Sequence, residues 1–237
     1  MIRKIAGLIL LGLAVPLLVA ASGGARIAAN DWTRRVTLSP IGGHVMGNPA
    51  ASTRLVEYVS YTCVHCAHFT NDAHGALRIG WVQRGTLNVE VRNAVRDPFD
   101  LAAAMLARCG GKDRFFGNHA AIFANYDAWM TQINAYGALA PNPALKTEAQ
   151  KLTDIADKTG LFTLMQGRGF NRRQLSACMT DKNAQARILG MSGEAWQKLK
   201  IGGTPSFTLN GRLLDDVHDW NSLRVQLPAQ SVPATTV

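Results

Sequence analysis

The chain lacks the sequence features on which several large classes of protein depend. No cluster of Lys and Arg is dense enough for a nucleic-acid footprint, although the formal net charge is +9. The sequence has no Gly-rich phosphate loop, no Ser/His/Asp arrangement and no internal repeat. Beyond the N-terminal region, no apolar run is long enough to span a bilayer. We therefore expect no nucleic-acid partner and a basic surface that is simply solvated.

The composition is that of a folded globular protein. Apolar residues make up 47% of the 237 residues and charged residues 17%, which is too apolar for a disordered chain. The length allows a substantial core in one elaborated domain or two small ones.

The N-terminus has the order of basic, apolar and small residues that an export signal requires. Arg3 and Lys4 are followed by an uncharged apolar run over 5–19 and then by small residues. We expect a cleaved signal peptide at 1–21 and a linker at 22–41, with an uncleaved membrane anchor as the alternative. In either case the folded part is expected in the periplasm, where its four cysteines can form disulfides.

The sequence predicts the order strand, helix, strand, helical block, hairpin, helix. The Gly-, Asn- and Pro-rich stretch 42–52 predicts a loop. A β-prone run at 55–59 comes next, and apolar residues at helical spacing follow from Phe69. Asn210-Gly211 between two apolar runs predicts a hairpin. Other signals are an alternating strand at 87–91, a helix start at Asp97-Pro98, helices without strands from Leu101 to about Leu199, and a last helix from Asp219 or Trp220.

Cys63-Val64-His65-Cys66 lies where the first strand gives way to the first helix. Residues three apart on a helix are about one turn apart, so the two sulfurs can bond. A helix N-terminus offers partial positive charge and free N–H groups, which stabilise the attacking thiolate. We expect a redox pair in which Cys63 is the exposed nucleophile, and in which Cys66 lies deeper and resolves the mixed disulfide.

Two further interpretations concern this pair. His65 lies between the cysteines, so we expect it to lower the pKa of Cys63 by donating a hydrogen bond or adding positive charge, unless it faces solvent. A zinc site is the alternative for the pair itself. Its ligands would come from Cys63, Cys66, His68, Cys109 and Cys178. The chain has no second closely spaced pair of cysteines, so we favour the redox interpretation and expect no metal.

The segment Glu57–Cys66, which reads EYVSYTCVHC, and Gly203-Thr204-Pro205 near the end resemble the DsbA family of periplasmic disulfide oxidoreductases. The segment 42–49 also resembles bacterial members of that family. The resemblance covers roughly 42–227 and implies an α/β, thioredoxin-like fold with an inserted all-helical domain. The corresponding boundaries are 42–97 for the first part of the thioredoxin-like domain, 98–200 for the helical insertion, 201–227 for the second part and 228–237 for a disordered tail.

The resemblance also implies roles for matching residues. Pro205 would be a cis-proline beside the cysteines. Val64, Thr204 and Pro205 would contact substrate, with Thr204 offering backbone groups to an extended peptide. Glu57, which matches an acid of the family, would accept or relay the proton of Cys66, with a pKa raised by desolvation. The alternative for Glu57 is an ion pair with a Lys or Arg.

The implied activity is the introduction of disulfide bonds into exported proteins that carry free thiols. The cysteines carry the chemistry without an organic cofactor, a membrane-bound partner reoxidises them, and the protein is expected to be a monomer. Val64 stands where many members have proline, and a Thr before the cis-proline also occurs in reductases and isomerases. A reductase or isomerase therefore stays open, as does a non-catalytic peptide-binding chaperone module.

Cys109 and Cys178 remain outside the redox pair. Exported relatives of this family sometimes carry an extra bridge in the helical insertion, and we expect a structural disulfide between these two residues. The alternative is two buried free thiols, which an oxidising compartment disfavours.

Overall fold

A computed structural model describes residues 31–229. The framework of this part of the chain is a six-stranded mixed sheet. The strands lie in the order β1-β2-β4-β3-β5-β6. Only β3 and β4 are parallel, and the other neighbours are antiparallel. The strands are β1 (Val36–Leu38), β2 (His44–Gly47), β3 (Thr53–Val59), β4 (Leu87–Asn93), β5 (Ser206–Leu209) and β6 (Arg212–Leu214).

Helices connect the strands and form the expected insertion. Helix α1 crosses from β3 to the parallel strand β4 and continues into a π-helical turn, Arg78–Val82. Seven helices, α2 to α8, lie between β4 and β5, so the α/β fold with a helical insertion is confirmed. The helices are α1 (Val64–Leu77), α2 (Pro98–Ala107), α3 (Lys112–Ala124), α4 (Tyr126–Gly137), α5 (Glu148–Lys158), α6 (Leu161–Gly167), α7 (Arg172–Met179), α8 (Lys182–Gly193) and α9 (Trp220–Arg224).

The local signals at element ends act as the sequence predicts. The Asp97 side chain accepts a hydrogen bond from the backbone of α2, with Pro98 in the first turn. Asp219 caps α9 in the same way. Asn210 and Gly211 both have positive φ, 51° and 84°, as the tight turn between β5 and β6 requires.

Two expectations for the N-terminal part were wrong. The segment predicted as a linker, 22–41, contains β1 within its described portion, and the predicted loop 42–52 contains β2. The reason is tertiary pairing: β2 pairs with β4 through His44 with Val91 and Met46 with Val89. A sheet partner at this position outweighs a local composition that is typical of a loop.

The register of β3 places the end of this central strand beside the start of β5. Ser206 on β5 pairs with Tyr58 near the end of β3. Because the two strands are antiparallel, Thr204 and Pro205, which precede β5, lie next to the turn that leads from β3 to Cys63. Leu55, Glu57 and Val59 are fully buried on β3. Two apolar clusters form the core around this point. One joins the helical insertion to the end of β3. The other joins α1 and α9 to the rest of the sheet.

The ends of the chain extend beyond the described residues. The predicted signal peptide, 1–21, lies outside them, as does most of the predicted disordered tail. Within that tail, the carbonyl of Pro228 accepts a hydrogen bond of 2.8 Å from the Trp81 indole N–H. Between residues 31 and 229, no helix combines the length and the apolar character needed to cross a membrane.

Candidate active site

Cys63 and Cys66 occupy the first turn of α1, directly after the central strand. Cys63 is the N-cap residue, with φ −97° and ψ 118°, and Cys66 lies within the helix. Both are free thiols in this structure. Cys66 is fully buried as expected, but Cys63 is only 4% exposed, so the expectation of an exposed nucleophile was wrong. The Thr204 segment covers it: the Cys63 thiol donates a hydrogen bond of 3.0 Å to the Thr204 carbonyl.

The two thiols have opposite electrostatic environments. The hydrogen bond from Cys66 is the largest factor that lowers the pKa of Cys63, to about 5. The Thr204 hydroxyl, the Cys66 backbone N–H and the positive charge of Arg96 lower it further, against the effect of burial. Burial raises the pKa of Cys66 well above its ordinary value, and the neighbouring Cys63 adds to this. Cys63 is therefore the thiolate of the pair, and Cys66 the protonated partner.

His65 does not supply the effect predicted for it. Its side chain is exposed and makes no hydrogen bond within the described part of the chain. The groups that lower the pKa of Cys63 are Cys66, Thr204 and Arg96 instead. His65 therefore faces solvent although it lies between the two cysteines, which was the alternative interpretation.

Arg96 is a component of the site that the sequence did not single out. It follows β4, and its guanidinium donates to the Thr62 carbonyl at 2.6 Å and to the Ser60 hydroxyl at 3.0 Å. The Thr62 hydroxyl in turn donates to the Asp97 carboxylate at 2.6 Å. These bonds tie the turn before Cys63 to the start of α2 and hold a cation near the sulfur.

Asp100 is a second such component. It is fully buried in the first turn of α2 and accepts hydrogen bonds from the backbone N–H groups of Tyr61 at 2.7 Å and Arg96 at 3.1 Å. Burial raises its pKa to about 7. In sequence, an acid at this place looks like an ordinary helix-start residue, and only the fold shows that it also holds the turn before the cysteines.

Glu57 is buried beneath α1, as the sequence indicates, but its partner is neither Lys nor Arg. Its Oε2 lies 3.0 Å from His74 Nε2, and its buried Oε1 has no hydrogen-bond partner among residues 31–229. His74 belongs to α1, two turns beyond Cys66. The carboxyl therefore lies on the inner side of the helix that carries the cysteines.

The predicted substrate-binding residues surround Cys63. The Thr204–Pro205 peptide bond is cis. Thr204 is 9% exposed, and within the described part of the chain its buried hydroxyl has no partner other than the cysteine thiols. Val64 is 38% exposed and is the large apolar side chain that the pair presents to solvent. The structure thus brings Cys63, Val64, Thr204 and Pro205 together.

Cys109 and Cys178 are bonded to each other in the helical insertion. Their sulfurs are 1.99 Å apart, their Cα atoms 5.6 Å apart, and 69 positions separate them in sequence. Cys109 follows the end of α2, and Cys178 lies within α7. The bond therefore joins the end of α2 to α7 within the insertion. These cysteines are therefore not available as partners of Cys63 and Cys66 in a shared zinc site.

The comparisons with known proteins agree with this geometry. The sequence model of the Thioredoxin family matches residues 39–229. A crystal structure named as a protein-disulfide isomerase from Novosphingobium aromaticivorans is 38% identical. The similarity covers 78% of this chain and 94% of that one, with a TM-score of 0.71. The alpha-DsbA1 structure from Wolbachia pipientis shares the fold at 24% identity and a TM-score of 0.58, covering 79% of this chain and 83% of that one.

A curated relative from Rickettsia typhi, named as a protein-disulfide oxidoreductase, is 29% identical over 168 residues. The match covers 70% of this chain and 54% of that protein, so the chain spans about half the length of the curated relatives it matches. The match to the family model and the likeness to the Novosphingobium protein indicate the same fold, and the helical insertion between β4 and β5 is consistent with it. The chain therefore belongs to the thioredoxin family, and its fold is that of the DsbA-type proteins.

Proposed function

We propose that the chain is an exported oxidase that donates the Cys63–Cys66 disulfide to thiols of other exported proteins. The observation that carries this proposal is the placement of the two cysteines: Cys63 is the N-cap of α1 and lies 3.0 Å from the Thr204 carbonyl, while Cys66 is fully buried. These surroundings lower the pKa of Cys63 to about 5 and raise that of Cys66 well above its ordinary value. A stabilised Cys63 thiolate favours the reduced pair, which makes the disulfide form a stronger oxidant.

The proposed reaction proceeds through a mixed disulfide on Cys63. A substrate thiolate attacks Cys63 Sγ, the Cys63–Cys66 bond breaks, and the electron pair stays on Cys66 Sγ, which takes up a proton. A second substrate thiolate then attacks the substrate sulfur of the mixed disulfide, and Cys63 leaves as a thiolate. Two substrate thiols are oxidised to one disulfide, and the protein pair is reduced to two thiols. The low pKa of Cys63 makes it the better leaving group in the second step.

The surroundings of Cys63 suit an extended peptide as the substrate. Thr204 and Pro205 lie against the sulfur and precede β5, so they offer backbone groups beside the bond that is exchanged. Val64 adds an exposed apolar contact. We propose these three residues as the substrate-binding site, and Glu57 as the group that takes up or returns the proton of Cys66.

The cellular setting follows from the proposed direction of the reaction. The protein would act in the periplasm after export through the segment 1–21, as a monomer, and a membrane-bound partner would reoxidise Cys63 and Cys66. The redox-active disulfide serves in place of an organic cofactor.

A reductase or isomerase is the second candidate. The observation that favours it is the name of the Novosphingobium protein, a protein-disulfide isomerase that is 38% identical over most of its length. Such an enzyme would use the same Cys63 thiolate to open substrate disulfides and would need to be kept reduced.

The test is a stoichiometric reaction between the oxidised protein and a reduced peptide with two cysteines. We expect the peptide disulfide to form while two protein thiols appear, as counted by alkylation and mass spectrometry. Cys66→Ala has no internal disulfide to donate and should leave the reduced peptide unchanged. Given a peptide disulfide instead, its Cys63 thiolate should attack one peptide sulfur and hold it in a mixed disulfide while the other peptide sulfur leaves as a thiolate. Cys63→Ala should do neither. A peptide that stays reduced in the presence of oxidised protein contradicts the oxidase proposal.

Two controls separate the remaining alternatives. The double variant Cys109→Ala/Cys178→Ala lacks the bridge in the insertion and should keep the peptide reaction, since that bridge lies apart from the redox pair. A chaperone module would suppress aggregation of an unfolded protein equally well with Cys63→Ala, whereas disulfide transfer depends on Cys63.

A further inference from the structure

A column of polar side chains follows the inner face of α1 below the redox pair. Cys66, Thr70 and His74 recur at intervals of four residues, which places them above one another on a helix. Cys66 is fully buried, Thr70 is 3% exposed, and the His74 side chain is 16% exposed. The column thus begins at the buried sulfur and ends at a residue that reaches solvent.

The middle of this column has unused hydrogen-bonding capacity. Thr70 Oγ1 and Glu57 Oε1 are both buried and have no hydrogen-bond partner in residues 31–229. Leaving such atoms unpaired is unfavourable, and few buried polar groups in native proteins are left so. Phe69, next to Thr70 in sequence, and Leu55, two residues before Glu57, belong to an apolar core cluster, so hydrophobic packing does not account for these polar side chains.

His74 connects the buried carboxyl to the outside of the protein. Its Nε2 lies 3.0 Å from Glu57 Oε2. It also lines a cavity of about 230 Å³ between α1, α3 and the strands β2 and β4, with Met46, Val89 and Phe116 among the other lining residues. A proton that arrives at His74 from solvent is therefore one hydrogen bond from Glu57.

Other ionisable groups also face His74 from the neighbouring elements, and the buried Tyr61 hydroxyl lies 2.9 Å from Nδ1 of one of them, His119. From α3, the His119 ring stacks on His74 at a centroid distance of 5.1 Å, and burial together with the charges of His74 and His44 holds the pKa of His119 well below its ordinary value. His44 on β2 is 2% exposed and stacks on Phe115. Arg78, the first residue of the π-helical turn after α1, lines the cavity and is positively charged.

We propose that His74 is a positioning residue that holds Glu57 and exchanges its proton with solvent, so that the Cys66 proton enters and leaves along this column. The proposal rests on the proposed function. When a substrate thiolate breaks the Cys63–Cys66 bond, the electron pair stays on Cys66 Sγ and the proton comes from the Glu57–His74 pair. His74 then takes a proton from solvent, and the reverse reaction returns it.

The test compares the rate of disulfide exchange in the variant His74→Gln with that of the matched control His68→Gln. His68 lies on the same helix but is exposed. The oxidised proteins react with a reduced peptide in stopped-flow experiments between pH 5 and pH 9. We expect His74→Gln to be slower by about a hundredfold, the lower end of the range for a positioned proton-transfer group, with a changed pH profile, while His68→Gln matches the wild type.

Chemical rescue distinguishes proton exchange from a merely structural role. Imidazole added to His74→Ala has access to the cavity and should restore much of the rate. If His74→Gln does not fold, the isosteric Thr70→Val removes only the hydroxyl of the column and should also slow the exchange. Wild-type rates and a wild-type pH profile in folded His74→Gln or Thr70→Val would overturn the inference, as would His74→Ala that stays slow in imidazole. If the wild type and His68→Gln fail to oxidise the peptide, the proposed function fails instead.

Discussion

Replacing Cys66 by Ala is expected to raise the pKa of Cys63 by removing the largest factor that lowers it, the hydrogen bond from the Cys66 thiol. A hydrogen bond to a charged group contributes about 1.5–3 kcal/mol. One pKa unit corresponds to about 1.4 kcal/mol. The pKa of Cys63 should therefore rise from about 5 to about 6–7. Thr204 and Arg96 keep it below the ordinary value.

The same shift has a consequence for the redox pair. At pH 7, a thiol whose pKa is about 5 rather than 9.0 is stabilised as a thiolate by about 2.7 kcal/mol. For a two-electron couple this corresponds to about 60 mV towards a more oxidising disulfide.

The assay is the rate of iodoacetamide alkylation of Cys63 as a function of pH, in reduced wild type and in the Cys66 variants. Cys66→Ser is the matched control, because a hydroxyl can still donate a hydrogen bond, and it should stay closer to the wild type than Cys66→Ala does. A wild-type half-point near the ordinary thiol value, or a half-point of about 5 that Cys66→Ala leaves unchanged, would refute the reasoning.

Three further predictions concern stability, each measured as the free energy of unfolding in urea. Replacing Cys109 and Cys178 by Ala should lower it by about 4 kcal/mol, because the bridge closes a loop spanning 69 positions; a loss below about 1 kcal/mol would contradict the chain-entropy account. Burial and the charge of Arg108 lower the pKa of His44 to about 2 in the folded state. Its neutral form therefore stabilises the fold fully above about pH 6.5, and this contribution is lost as the pH falls. By pH 4.5 the loss is about 3 kcal/mol, and an equal acid loss in His44→Leu would refute its origin in His44. Arg92 binds Glu194 at 2.7 Å, and Arg92→Met should remove about 2 kcal/mol, less than a fully buried pair would lose. Glu194→Gln, the complementary control, should lower the free energy of unfolding by less than Arg92→Met does. An unchanged free energy of unfolding in Arg92→Met would show that the pair contributes nothing to stability.

The chemistry-bearing pair and most of the fold could be predicted from the sequence because their signals are local. The CxxC spacing needs only one helical turn, and Asn210-Gly211 needs only two residues with positive φ. Asp97 with Pro98 marks the start of α2 through interactions within four residues. Each of these signals is complete within a short segment, so no knowledge of the tertiary structure is required.

The parts that the sequence missed depend on contacts between distant segments. Arg96 reaches Thr62 across 34 positions, and Asp100 reaches the Tyr61 backbone across 39. Glu57 could be identified as a buried acid, but its partner His74 could not, because α1 must first fold over β3. The prediction for His65 failed for the related reason that nearness in sequence does not decide which face of a helix a side chain occupies.

The strand β2 shows the same limit for secondary structure. Its segment is rich in Gly and Asn, and only the partner β4 makes it a strand. The helical insertion could be located as a whole, since its composition favours helices throughout. The bond between Cys109 and Cys178 depends on which segments of the insertion become neighbours, so from the sequence it could be predicted only as one of two alternatives.

The equilibrium reduction potential of the Cys63–Cys66 pair, measured against glutathione buffers, tests the central claim most directly. The lowered pKa of Cys63 leads us to expect a potential well above the cytosolic glutathione poise, towards about −120 mV, as in a strong disulfide donor. A potential near about −270 mV, typical of a reducing thioredoxin-type pair, would contradict the oxidase proposal and indicate a reductase that must be supplied with electrons.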